Sequence, residues 1–246
     1  MDRSKGIGIL SGNALKIIAA ISMVIDHTGV IFFPDMLIFR IIGRLGLPIF
    51  AFMIAEGCRY TKNKLKYFLS LLILGTACQL VYDVVSGSVY IGILISFSVS
   101  VLLVYLLGAF YKAIFARKAV ISVALGVAFA ASVVTVYILN TLVSVDYGFW
   151  GCMMPVFASL TNLPIDAESR LKRIDKPFVR VLCMSACVVV YAINRGGFRL
   201  FALMSIPVLL LYSGKRGAWR MKYFFYIFYP LHLALLWGIY MLIRML

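Results

Sequence analysis

Long apolar segments, separated by short polar connectors, run along almost the whole chain. The first of them, LKIIAAISMVIDHTGVIFF at positions 15–33, is close to the ~20 residues that a helix needs to cross a bilayer. We therefore expect an all-α fold, a polytopic transmembrane helix bundle, in which residues 1–246 form one membrane domain. The pattern predicts about nine spans, at roughly 13–33, 39–58, 66–86, 89–111, 119–143, 148–163, 178–194, 197–213 and 222–243.

The composition excludes an ordinary soluble globular protein. Hydrophobic residues make up 63% of the chain and charged residues only 13%, whereas soluble domains carry ~25% charged residues. Lysine and arginine number 24 against 9 acidic residues, a formal charge of +15 that in a soluble protein would indicate a nucleic-acid partner. Because these bases gather in connectors between apolar segments, we expect the lipid bilayer as a partner and no nucleic acid.

The basic connectors also predict an orientation. They precede the first span and follow the second, fourth, sixth and eighth, and cytoplasmic connectors are the ones enriched in lysine and arginine. We therefore expect a multi-pass protein of the cell (inner) membrane with a cytoplasmic N-terminus. The bases concerned are Arg3, Lys5, Arg59, Lys62, Lys64, Lys66, Lys112, Arg117, Lys118, Arg170, Lys172, Arg173, Lys176, Arg180, Lys215, Arg216, Arg220 and Lys222.

Both histidines of the chain, His27 and His232, fall inside predicted spans. Ionisable groups in hydrocarbon are costly unless they face a partner or a cavity, so they are candidates for a functional site. Adjacent residues on a helix point about 100° apart. We therefore expect Asp26 to pair with an arginine, Arg44 or its neighbour Arg40 one turn earlier, while His27 faces a cavity.

Structural roles remain open for the same residues. The Asp26–Arg44 pair would also serve simply to lock two helices together. His232 follows Pro230, which removes a backbone donor, so its ring would also serve to satisfy a freed carbonyl. No metal site is expected, because the two histidines are far apart in sequence and no carboxylate cluster accompanies them.

Four further ionisable residues are candidates for binding substrate or cofactor. Arg195 and Arg199 flank the turn NRGGFR, and Lys16 and Glu56 lie towards the predicted cytoplasmic ends of their spans. Lys16 and Glu56 are explained equally well as residues that reach the membrane surface or cap a helix.

The residues inside the predicted spans suit several functions. A neutral imidazole titrates near pH ~6.5 and acts well as a general base, and arginines stabilise an anion or a developing oxyanion. This combination favours acyl transfer, but a proton relay in a transporter or flippase uses the same residue types. A non-catalytic assembly factor is a third possibility. We also predict that Arg44→Ala impairs the protein more than Arg59→Ala, because only the former would leave a buried carboxylate unpaired.

Five segments resemble the TraX family of membrane proteins, and together they extend from Leu15 to about Leu235. They are LKIIAAISMVIDHTGVIFF, RIIGRLGLPIFAFMIAEGCRYTKN, DYGFWG, FALMSIPVLLLYSGKRG and FYPLHL. The resemblance implies an N-acetyltransferase of the pilin-modifying type, with acetyl-coenzyme A as donor substrate and an amine of a peptide or amino sugar as acceptor. The family is distantly similar to transmembrane acyltransferases such as heparan-α-glucosaminide N-acetyltransferase, which use an intramembrane histidine. Carried over, this makes His27 the catalytic base, supported by Asp26, Arg40 and Arg44, with His232 of the YPLH element as a second site residue.

Overall fold

The fold is that of a computed structural model, which describes residues 8–86, 91–164, 174–218 and 221–245. Ten α-helices and one 3-10 helix account for most of these residues, so the expected all-α class is confirmed. Arg3, Lys5, Arg170, Lys172, Arg173 and Arg220 of the basic connectors lie outside the described residues. The helices are α1 (Gly12–Phe32), α2 (Leu37–Gly43), α3 (Gly46–Tyr60), α4 (Lys64–Ser86), α5 (Ile93–Phe115), α6 (Ala119–Leu142), α7 (Gly148–Ala158), α8 (Pro177–Arg195), the 3-10 helix Gly197–Met204, α9 (Ser205–Leu210) and α10 (Lys222–Met245).

Among the described residues, six segments are long and apolar enough to cross a membrane. Two of the predicted spans are shorter than expected. α7 has 11 residues, and the 3-10 helix with α9 covers only Gly197–Leu210. At 1.5 Å per residue, α7 rises about 16 Å, roughly half of a ~30 Å hydrocarbon layer. The full count of nine spans and the orientation of the N-terminus remain predictions. The six segments are Gly12–Phe32, Leu37–Tyr60, Ile93–Phe115, Ala119–Leu142, Pro177–Arg195 and Phe224–Met245.

The segment Leu37–Tyr60 is interrupted between α2 and α3. Pro48 lacks the N–H that would bond the carbonyl of Arg44 four residues earlier, so the regular helical pattern is weakened at this point. The helix breaks at Arg44 and Leu45, and the Nε of Arg44 donates to the carbonyl of Arg40 at 3.3 Å. The break therefore occurs at one of the two arginines that the sequence singles out.

The chain forms two compact units. We call the described parts of Met1–Phe50 and Val188–Leu246 the histidine unit, because both histidines belong to it, and Ala51–Cys187 the second unit. In the histidine unit α1 packs against α2 and α10, and α2 also packs against the 3-10 helix. In the second unit α5 is central and contacts α4, α6 and α7.

The N-terminus of α1 is held by the segment that follows α9. The first free N–H groups of a helix need acceptors, and here Gly12 and Asn13 donate to the carbonyls of Lys215 and Arg216 at 2.8 and 3.0 Å. The side chain of Ser11 caps the same end by accepting from the N–H of Ala14 at 3.2 Å. These bonds fix the start of the helix that carries Asp26 and His27.

Two glycines allow α1 and α2 to approach closely. A Cβ on Gly43 would overlap the carboxylate of Asp26, and a Cβ on Gly29 would overlap the Cβ of Phe39. Small residues at such positions are the usual means of bringing membrane helices together. The close approach brings the arginines at the end of α2 within reach of Asp26 on α1.

Candidate functional site

The two histidines lie side by side although 205 residues separate them in the chain. Nε2 of His232 on α10 is 3.1 Å from Nδ1 of His27 on α1, and the ring centroids are 5.1 Å apart. His232 is buried, whereas His27 is half-buried. The Phe228 ring stacks on His232 at 4.9 Å with an interplanar angle of 9°, which holds the imidazole in one orientation.

The hydrogen bonds around the pair determine which nitrogens carry protons. Nδ1 of His232 lies 2.9 Å from the carbonyl oxygen of Phe228, and since a carbonyl only accepts, this nitrogen is the donor. In the neutral ring Nε2 of His232 is then an acceptor, so Nδ1–H of His27 donates to it. The nitrogen that can accept a proton is therefore Nε2 of His27, which carries the free lone pair of electrons.

His232 bonds a different carbonyl from the one that loses its helical donor at Pro230. Proline at position 230 removes the donor for the carbonyl of Tyr226, four residues earlier, whereas His232 donates to that of Phe228. The alternative that the His232 ring satisfies a carbonyl freed by Pro230 is therefore not supported. Its second nitrogen is engaged with His27, which the sequence did not indicate.

Asp26 is held by both arginines of α2 and the α2–α3 break. Nη2 of Arg44 bonds both carboxylate oxygens, at 2.8 and 2.9 Å, and Nη1 of Arg40 bonds Oδ2 at 3.1 Å. The expected Asp26–Arg44 pairing is confirmed. As the divergence of adjacent side chains predicts, His27 points elsewhere, towards α10.

Two aromatic residues of the site were missed by the sequence analysis. The Phe198 ring contacts three guanidinium groups, with its centroid 5.5 Å from Cζ of Arg40, 5.2 Å from Arg44 and 5.0 Å from Arg199. Tyr191 is almost fully buried and hydrogen-bonds Arg44. Neither residue is ionised at neutral pH, so charge inside an apolar segment does not identify either of them. The aromatic residue between the basic positions of NRGGFR was the available signal.

Of the remaining candidates, Lys16, Arg195 and Arg199 belong to the histidine unit and Glu56 to the second unit. Nζ of Lys16 lies 5.6 Å from the centroid of Phe225, and eleven residues, about 16 Å of helix, separate it from His27. Arg195 is exposed, and Arg199 contacts Phe198. Glu56 belongs to the second unit, where it is buried and pairs with Arg180. The burial of Glu56 argues against a role in reaching the membrane surface.

The reason given for the predicted contrast between Arg44 and Arg59 is wrong, and the contrast itself stays a prediction. Arg59 is not a surface base of a connector, because its guanidinium pairs with Asp175, whose side chain is 0% exposed, and also bonds Asn162 at 3.3 Å. Arg180 lies farther from Asp175, with Nε 4.0 Å from Oδ1. Removing Arg59 would therefore disturb a buried carboxylate, as removing Arg44 would.

An apolar cavity of about 240 Å³ lies between α1 and α10 in the histidine unit. It is lined by Ile17, Ala20, Ile21, Val24 and Ile25 of α1 and by Phe224 and Phe228 of α10. Phe228 also stacks on His232, so the wall of the cavity is in contact with the histidine pair. In the part of the chain that the structure describes, no group of three or more His, Cys, Asp or Glu side chains is arranged to hold a metal ion.

Known proteins resemble this chain over most of its length. The family model described as "TraX protein" matches residues 11–240. The "Probable fimbrial assembly protein FimC, serogroup H1" of Dichelobacter nodosus is 28% identical over 238 residues, covering 90% of this chain and 92% of that protein. The "Uncharacterized protein RP591" of Rickettsia prowazekii (strain Madrid E) is 50% identical over 38 residues, 15% of each chain. No solved structure matches. The family match covers both histidines and all the residues around them, and the chain belongs to the TraX family.

Proposed function

We propose that this protein is a membrane-embedded acyltransferase that moves an acetyl group from acetyl-coenzyme A to an amine, with His27 as general base. The single observation that carries the proposal is the hydrogen-bond chain from His27 through His232 to the Phe228 carbonyl. It leaves Nε2 of His27 with a lone pair, on the more accessible ring of the two.

The proposed reaction uses that lone pair directly. The acceptor amine attacks the thioester carbonyl while Nε2 of His27 takes the proton that the amine loses. The new C–N bond forms, the C–S bond breaks, and the proton passes from His27 to the departing sulfur. While His27 is cationic, its Nδ1–H bond to His232 is charge-assisted and therefore stronger, so His232 stabilises the protonated base.

The arginine cluster supplies the positive charge that the reaction needs. Arg40 bonds Asp26, the residue before His27, at 3.1 Å and is more accessible than Arg44, with 27% of its side chain exposed against 5%. A guanidinium in this position would stabilise the oxyanion that develops on the thioester carbonyl. Asp26 would act indirectly, by fixing both guanidinium groups.

Family membership and the name of the fimbrial assembly relative support an acceptor that is a peptide N-terminus, and an amino sugar is the other amine of suitable size. The donor would approach from the cytoplasmic face, where the basic connectors attract its phosphates. This route presumes nine spans and a cytoplasmic N-terminus in the inner membrane.

The histidine pair also favours a second candidate, a proton-coupled transporter or flippase. Two hydrogen-bonded imidazoles can pass a proton from one ring to the other without a covalent intermediate. A transporter moves its substrate unchanged, whereas an acyltransferase leaves an acetylated product. The two functions therefore differ in the chemical form of the substrate.

Labelled acetyl transfer in membrane vesicles separates these functions. Vesicles containing the wild-type protein, His27→Gln or Thr28→Ala would receive trideuteroacetyl-coenzyme A, and mass spectrometry would follow the label into amines. We expect labelled product with wild type and with Thr28→Ala, the matched control on the same helix, and none with His27→Gln. Accumulation of unmodified substrate without labelled product would favour transport.

A further inference from the structure

The ring of Phe198 has more positive charge around it than the described carboxylates neutralise. Arg40, Arg44 and Arg199 all contact this ring. Asp26 is the carboxylate that pairs with Arg40 and Arg44, and Arg199 makes no ion pair with a carboxylate in the described part of the chain. Three guanidinium groups thus share one carboxylate.

The donors with spare capacity belong to Arg40 and Arg199. Arg44 is buried and uses Nη2 on both oxygens of Asp26, whereas Arg40 makes one bond to that carboxylate and is 27% exposed. Arg199 is half-buried. The guanidinium carbons of Arg40 and Arg199 lie 5.5 and 5.0 Å from the Phe198 centroid, so both side chains can turn towards an anionic group beside the edge of the ring.

Three guanidinium groups packed against one ring repel one another, so an anion that compensates their charge is favourable. Guanidinium groups match carboxylates and phosphates because their paired N–H donors align with two oxygens. Phe198 supports the arrangement, because its ring attracts each cation and keeps the planar groups in place.

We propose that Arg40 and Arg199, held against Phe198, form a subsite for an anionic group, a carboxylate or a phosphate, carried by the acyl acceptor. The inference rests on the proposed function, because it describes the acceptor whose amine His27 would deprotonate. Arg40 bonds Asp26, which precedes His27 on α1, so an anion bound to Arg40 lies at the same level of α1 as the proposed base. The acceptor is therefore an amine with a nearby acidic group rather than a simple alkylamine.

Anion-dependent thermal stabilisation tests the subsite without requiring turnover. The full-length protein in phosphatidylcholine nanodiscs would be melted in rising concentrations of inorganic phosphate or acetate, with chloride at matched ionic strength as reference. Arg199→Gln removes the proposed ligand. Arg244→Gln is the matched control, because Arg244 also lies over a single ring, Tyr240 at 5.3 Å, and is exposed on α10. Arg199→Lys keeps the charge and loses the paired donors.

We expect phosphate or acetate, but not chloride, to raise the melting temperature of the wild type and of Arg244→Gln. The concentration for half the effect should rise about tenfold or more in Arg199→Gln, since hydrogen bonds to charged groups are worth ~1.5–3 kcal/mol. The concentration for half the effect in Arg199→Lys should lie between those of the wild type and Arg199→Gln. Equal stabilisation by chloride, or equal loss in Arg244→Gln, would overturn the subsite.

Two further measurements separate the sources of the anion and the two proposals. If stabilisation requires phosphatidylglycerol in the nanodisc and soluble anions have no effect, the group bound is a lipid headgroup and the acceptor subsite is overturned. Acetyl-coenzyme A turnover, measured on the same preparations, reports on the proposed function separately. Turnover without anion-dependent stabilisation would contradict only the subsite, and the reverse result would uphold the anion site while contradicting the acyltransferase.

Discussion

At the scale of single residues, the site combines one ion pair that the sequence predicts and one hydrogen bond that it does not. The pairing of Asp26 with Arg44 is predictable from the sequence, because an unpaired carboxylate is costly in a span and α1 and α2 are consecutive. The His27–His232 bond links the two ends of the chain, and no local pattern indicates which distant helix packs against α1. The two imidazoles together make a base with a defined lone pair.

Replacing His232 should weaken catalysis less than replacing His27. His27 would exchange the proton itself, a role typically worth ~10²–10⁴-fold in rate, whereas His232 orients the ring and stabilises its cation. We expect His232→Gln to lower the turnover of acetyl-coenzyme A by about tenfold to a hundredfold, as losses of such supporting hydrogen bonds do elsewhere. Its KM should stay close to the wild-type value. Full activity in His232→Gln would show that the bond to His27 has no part in the reaction.

Loss of Arg44 should destabilise the protein more than loss of Arg40. Arg44 is 5% exposed and bonds both oxygens of Asp26, whereas Arg40 is 27% exposed and bonds one. Removing a partner from a buried ion pair costs about 3–5 kcal/mol, so Arg44→Ala should lower the free energy of unfolding by an amount near that range and Arg40→Ala by clearly less. Denaturant unfolding in detergent measures both. A larger loss in Arg40→Ala would contradict the assignment of the principal pair.

At the scale of elements, hydropathy predicted where apolar segments lie better than it predicted their helical length. The segment 197–213 reads as one span, yet it forms a 3-10 helix and the six-residue α9. Hydropathy sums over residues and does not register such a change of backbone geometry. Pro48 gives a visible cause for the break between α2 and α3. Whether the break brings Arg44 into contact with Asp26 depends on how α1 and α2 pack, which the sequence does not show.

The close approach of α1 and α2 predicts a specific effect of Gly43→Ala. The added methyl group would overlap the Asp26 carboxylate, so either the helices separate or the ion pair shifts. Overpacking of this kind costs ~1–3 kcal/mol, and activity should fall with stability. Gly238→Ala on α10 is the matched control, because a Cβ there meets nothing within 4 Å. Melting curves of the two variants should differ. Equal stability would mean that the Gly43 contact is not close.

At the scale of the whole molecule, composition was sufficient to indicate a helical membrane protein, and family membership agrees with it. That residues 1–246 form one membrane domain stays a prediction; the chain forms two compact units, one of them built from both ends of the chain. A unit built from two distant parts of the chain has no linker or change of composition at its boundary, so the sequence does not indicate it. The second unit also contains a buried pairing, Arg59 with Asp175, between residues that looked like connector positions.

The predicted orientation can be tested at two connectors of the second unit. Residues 116–118 follow α5 and residues 143–147 follow α6, and a spanning α6 would place them on opposite sides of the membrane. With a cytoplasmic N-terminus and nine spans, a cysteine at Ala116 should be labelled only from the cytoplasm and one at Ser144 only from outside. The native cysteines would be replaced beforehand. Labelling of both positions from one side, or the reverse pattern, would contradict this topology.

The most direct test of the central claim is thioester turnover by the purified protein. Wild type, His27→Gln and Thr28→Ala would be compared for binding of acetyl-coenzyme A and for its slow hydrolysis in detergent. We predict that all three bind the donor, that wild type and Thr28→Ala release coenzyme A, and that His27→Gln does not. Equal release by His27→Gln, or no binding by well-folded wild type, would contradict an acyltransferase centred on His27.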